Sequence, residues 1–145
     1  MLPWAEVESE FTHDGSLRDI YVHGTDLSDW ERLIKRLRTS YVTQWSVDGV
    51  LVAPMTAEEC FLVREQSSVV LSVLDGGLLI NCHFFTQAEI EFDLDPRDVR
   101  EENWPSLVSF LRLLAATTRK DALITAENLP EDIIATFEPP NAADF

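Results

Sequence analysis

The chain has 145 residues, 46% of them hydrophobic and 26% charged, with 26 Asp and Glu against 11 Lys and Arg and a formal net charge of -15. So apolar a chain does not stay disordered, and a domain of this length hides roughly 70% of its unfolded surface, enough for one core without staples. The charge repels phosphate backbones and anionic headgroups, so it argues against nucleic acid and membrane partners and for a basic protein partner.

The segment Glu6 to Phe11 alternates polar and apolar residues, and Asp14-Gly15 follows before the run Leu17 to His23, a pattern that predicts a hairpin. Thr25 and Asp26 then offer N-caps to a helix with Leu27, Trp30, Leu33, Ile34 and Leu37 on one stripe, ending near Ser40. Tyr41 to Val47 and Val50 to Ala53 flank Asp48-Gly49 as a second hairpin. Thr56 and Glu59 stand at capping-box spacing before a short helix that ends near Glu65.

Val69 to Leu74, the turn Asp75-Gly76-Gly77 and Leu78 to Phe85 make the clearest hairpin, and Glu89 to Leu94 adds a third antiparallel strand. Trp104-Pro105 opens the second long helix, with Leu107, Phe110, Leu111 and Leu114 as its apolar stripe. Ala122 to Thr125 and Ile133 to Phe137 are short closing strands around a loop that contains Pro130. The sum is an α+β fold: a mainly antiparallel sheet of sequential hairpins with two long helices packed on one face. A single globular domain over 1–138 and a mobile tail over 139–145 are expected.

Period-two ordering puts Glu89, Glu91, Asp93 and Asp95 on one face of a strand and Ile90, Phe92 and Leu94 on the other. The same reading lines up Glu6, Glu8 and Glu10 on the first strand. One-sided sheets commonly present polar wet faces, but such faces normally mix cations with acids, because like charges on neighbouring strands repel. These seven carboxylates are therefore the candidate partner-binding residues.

Asn81 and His83 interrupt an apolar strand and form the alternative site, a cleft in which a small hydrolase or transferase would use His83 with a carboxylate. Cys82 points the opposite way from His83, so the two cannot form a dyad, and it reads as an inert core thiol. Asp93, Asp95 and Asp98 fail the calcium-loop pattern at Arg97, Asp98 and Trp104. Cys60 and Cys82 show neither disulfide-framework nor zinc spacing, and no glycine-rich phosphate loop or nucleophile elbow is present, so no cofactor is expected. Arg32, Lys35, Arg36 and Arg38 cluster on the first long helix as a solvated face, and Trp4 is the tryptophan expected to lie exposed as an anchor.

The amino-terminal Met-Leu-Pro-Trp-Ala-Glu lacks the basic and apolar regions of a leader, and with two unpaired cysteines this points to the cytoplasm. Asp14-Gly15-Ser16-Leu17-Arg18-Asp19 and Asn81-Cys82-His83-Phe84-Phe85 belong to no catalytic motif. In general build, a short acidic α+β chain of this kind resembles the bacterial toxin-immunity proteins. The resemblance implies a non-enzymatic, inhibitor-like protein that docks a basic partner. A self-associating structural protein, as a homodimer, is the third reading.

Overall fold

The computed structural model describes residues 2–141. A helical turn, α1 (Trp4–Val7), runs into a 3-10 turn (Glu8–Phe11), followed by β1 (Arg18–His23), α2 (Leu27–Ser40), β2 (Val42–Val47), β3 (Val50–Val52) and α3 (Ala57–Arg64). Then come β4 (Val69–Asp75), β5 (Leu78–Thr86), β6 (Glu89–Leu94), α4 (Trp104–Thr118), β7 (Ala122–Ala126) and β8 (Leu129–Phe137). All the strands form one 8-stranded sheet in the order β3-β2-β4-β5-β6-β1-β7-β8, and every neighbouring pair is antiparallel. The fold is α+β, as the hairpin pattern predicts.

Alternation sorts the side chains. Leu71 and Val73 on β4, Ile80, Cys82 and Phe84 on β5, Ile90, Phe92 and Leu94 on β6 and Ile20 and Val22 on β1 are buried on one face. Onto that face pack the apolar stripes of α2 and α4, with Trp30, Leu33, Leu37, Leu107, Phe110, Leu111 and Leu114 all buried. Ring contacts knit the layers together: Trp30 stacks on Phe84 at 5.0 Å and Phe110 meets Phe92 edge-on at 5.2 Å. Among the described residues no helix packs on the opposite face of the sheet.

Local chemistry sets the element ends. Asp26 accepts from the Asp29 amide while Asp29 accepts from the Asp26 amide, a reciprocal cap that starts α2. The same Asp29 is buried and paired with Arg32 and with Lys120 just beyond α4, so the cap also ties the two long helices together. The hairpin turns at Asp48-Gly49 and Gly76-Gly77 each place both residues at positive φ, 50° and 82° in the first and 55° and 84° in the second. These values suit the right-handed twist of the flanking strands.

The structure departs from the expected elements in three places. Glu6 to Phe11 is helical, not a strand: Trp4, Val7 and Phe11 recur at helical spacing, Val7 and Phe11 are buried, and the expected first hairpin does not form. Trp4 is half-buried, packed on Phe11 at 5.9 Å and Trp104 at 6.0 Å, and not a free anchor. Pro130 lies within β8, whose pairing to β7 shifts register twice, and proline is tolerated there because β8 is an edge strand. Pro139, Pro140 and Asn141 lie outside regular structure, and the rest of the expected tail, 142–145, lies outside the described residues.

Candidate functional site

The unlayered face of the sheet collects the polar chemistry. On β6, Glu89, Glu91 and Asp93 are half-buried and alternate with fully buried apolar residues, so the predicted strand face exists for these three. Asp95 lies one residue past the strand, where it caps a 3-10 turn and binds Arg97 at 2.6 Å. Hydrogen bonds from Arg97 hold its carboxyl down at about 2. Its charge is therefore offset locally. Glu6, Glu8 and Glu10 are exposed on the N-terminal helical turns and form no strand face.

The neighbour of β6 on its far side is β1, and its register brings residues that the sequence reading missed. Asp19 stands directly opposite Asp93, Tyr21 opposite Glu91 and His23 opposite Glu89. On the near side, β5 places Asn81 opposite Asp93 and His83 opposite Glu91. The face thus carries Asp19, Glu89, Glu91 and Asp93 within three adjacent strands, interleaved with Tyr21, His23 and His83.

These groups are tied to one another. His83 Nε2 lies 2.7 Å from Asp93 Oδ2, and His23 Nδ1 lies 2.7 Å from Glu89 Oε1. Tyr21 donates its hydroxyl to Asp19 Oδ2 at 3.0 Å, and the Asn128 amide in the β7–β8 turn donates to the same oxygen at 2.8 Å. Ser72 on β4 donates to Asn81 Oδ1 at 2.7 Å. Glu91, at the centre, has no side-chain hydrogen bond or ion pair among the described residues.

The electrostatics follow from this crowding. Burial raises the Asp19 carboxyl above its ordinary value, against the hydrogen bonds from Asn128 and Tyr21, and the Asp93 charge adds to the rise. Glu91 is raised first by burial, then by the charges of Asp19 and Glu89, with His83 opposing. The hydrogen bond that the His83 ring donates to Asp93 raises the His83 imidazole above its ordinary value, against its burial. Burial and the nearby Asp19 carboxylate push the Tyr21 phenol far above its ordinary value, so it stays protonated and serves as a donor.

Flanking the acids on the same face is an apolar field. β2, β4 and β5 align Val42, Leu74 and Leu79 in one row, of which Val42 is 68% and Leu79 42% exposed, and Phe85 on β5 is 56% exposed. The Phe85 ring stacks on His83 at 5.3 Å, and the Arg64 guanidinium lies over it at 6.0 Å. Exposed apolar side chains thus lie beside the acidic cluster on the same face.

The polar residues of the face include one pair suited to proton transfer. His83 with Asp93 could exchange protons, but Ser72 is turned to Asn81, and Cys82 is buried on the other face, where burial raises its thiol well above the ordinary value. Among the described residues no nucleophilic side chain bonds to the His83 ring, and no group of three or more His, Cys, Asp and Glu is arranged to hold a metal. Among the described residues no helix is long and apolar enough to cross a membrane.

Comparison of the chain with models of known families, with curated proteins and with solved structures finds no match in any of the three.

Proposed function

We propose that the protein is a non-enzymatic, acidic binding module that docks a basic protein through the open face of its sheet, in the manner of an inhibitor or immunity protein. The observation that carries this reading is the gathering of Asp19, Glu89, Glu91 and Asp93 on an uncovered face beside the exposed side chains of Leu79 and Phe85. The carboxylates supply a field that speeds encounter with a cationic surface and rejects anionic ones. The apolar flank supplies desolvated contact area, the part of an interface that sets its lifetime.

The test is affinity capture from a native lysate at low ionic strength, followed by mass spectrometry and titration of the recovered protein. A basic partner should bind more weakly as salt rises, since the Debye length shrinks from about 30 Å at 0.01 M to about 8 Å at 0.15 M. Reversal of charge at Glu91 and Asp93 should slow its association. A partner bound equally at both ionic strengths and indifferent to the reversal would discard the reading.

A further inference from the structure

The two edges of the sheet are built differently. β8 carries Pro130, Glu131 and Asp132, and its pairing is broken by two register shifts, all devices that blunt an edge against further strands. β3 has none of them. Its three residues are Val50, Leu51 and Val52, with exposures of 66%, 69% and 39%. Between Arg38 and Glu58 the chain carries a single charged residue, Asp48, although 26% of all its residues are charged.

The backbone of this edge is open as well. The two-residue turn Asp48-Gly49 makes Val47 and Val50 a hydrogen-bonded pair, and Trp45 and Val52 the next. Hydrogen-bonded and non-hydrogen-bonded pairs alternate in an antiparallel ladder, so the N–H and C=O of Leu51 point away from β2, off the edge of the sheet.

We infer that the β3 edge pairs with the β3 edge of a second copy of this chain, about a two-fold axis through Leu51. Val-Leu-Val reads the same in both directions, as a two-fold antiparallel pair requires: Leu51 falls opposite Leu51, and Val50 opposite Val52. Asp48 falls opposite Pro54, so no like charges meet. A second copy has a net charge of -15 and is repelled elsewhere, and this uncharged edge is where it approaches with least penalty.

The strand is short, so the buried area falls below the roughly 1,200 Å² of a stable interface, and the dimer dissociates on dilution. Cross-strand neighbours share a face, so both acidic faces of the dimer point the same way. β6 lies four strand steps from the edge, about 19 Å, and stays free. The dimer is thus bivalent toward whatever the acidic face binds, but its existence does not depend on that reading.

Sedimentation equilibrium over a concentration series tests the pairing. The weight-average mass should rise from 16.5 kDa toward twice that value, and more so at high salt, which screens the repulsion between copies. That dependence is opposite in sign to the salt dependence of a basic partner, so the two readings fail separately. Leu51→Lys, on an exposed position where the fold is checked by circular dichroism, should weaken association by about tenfold or more. Leu51→Cys should cross-link under diamide, which accepts the two electrons and two protons as the disulfide forms, because facing residues lie about 5.5 Å apart. Val50→Cys should not. A mass constant at all concentrations and salts overturns the pairing, as does association that Leu51→Lys leaves intact or equal cross-linking by the two cysteine variants.

Discussion

Glu91→Gln should make the protein more stable at neutral pH. Glu91 sits at the centre of the acidic face, with Glu89 and Asp93 two residues away on β6 and Asp19 diagonal to it on β1. Each of these carboxylates lies about 7 Å from it. At an effective dielectric constant of about 40 to 80, one such pair costs about 0.6 to 1.2 kcal/mol. The His83 imidazole opposes the repulsion and solvent screens the half-exposed group, so the net cost of the Glu91 charge is about 1 kcal/mol. Removing it should raise the melting temperature by about 3 °C for a domain of this size.

The sign of the pH dependence is fixed. The folded-state carboxyl titrates above its ordinary 4.5, so between those two values the native state holds a proton that the unfolded state has lost, and stability falls as pH rises through the window. The advantage of Gln should therefore be full at pH 7 and absent near pH 4, where Glu91 is protonated in both states. Urea melts of both proteins at the two pH values measure it. A variant no more stable than wild type at pH 7, or equally advantaged at pH 4, would refute the account of Glu91 as a strained charge.

Four further substitutions probe other parts of the molecule. Asp93→Asn removes the hydrogen-bonded carboxylate that raises His83. The imidazole midpoint followed by NMR should drop, and the stability that His83 supplies below 6.5, lost as pH rises through its raised value, should disappear; an unchanged midpoint refutes the pairing. Arg18→Met keeps the buried stem but deletes a guanidinium that binds the backbone oxygens of Glu10 (2.7 Å), Thr12 (3.2 Å) and Leu17 (2.9 Å). It should cost about 3 kcal/mol and expose residues 8–17 to protease, and a loss under about 1 kcal/mol with unchanged cleavage would count against the clamp. Trp45→Phe should stay within about 1 kcal/mol of wild type, because its buried Nε1 has no hydrogen-bond partner among the described residues. Trp30→Phe, which loses a bond from Nε1 to the Gln87 carbonyl at 3.1 Å, should cost more in the same chemical melts.

Local pattern made α2, α3, α4 and the β2–β3 and β4–β5–β6 ribbons legible, because each combines one clear period with a turn or cap of definite chemistry: Asp26, Thr56, Asp48-Gly49, Gly76-Gly77. It failed at Glu6 to Phe11, where Val7 and Phe11 satisfy an alternating reading and a helical one equally. Only Trp4, stacked with Phe11 beside Trp104, decides for the helix. Of the acidic face, Glu89, Glu91 and Asp93 were visible from the strand period alone. Asp19, Tyr21 and His23 were not, because they reach the site through the insertion of β1 between β6 and β7, a pairing of distant segments that no local period encodes.

Asp19 and Asp93 face each other across β1 and β6, an arrangement that stability alone does not favour. A sheet tuned only for stability would set a cation or a threonine opposite Asp93, since like charges facing each other across strands weaken the pair. Here the facing residue is a second carboxylate, itself buried and kept in place by Tyr21 and Asn128. If such acids serve a partner, their neutralisation should move two measurements in opposite directions: Glu91→Gln gains stability in the free protein and loses association rate with a basic ligand. If they serve nothing, stability rises and capture is untouched. The two experiments performed on one variant therefore distinguish function from tolerated surface charge without the partner's identity being known in advance.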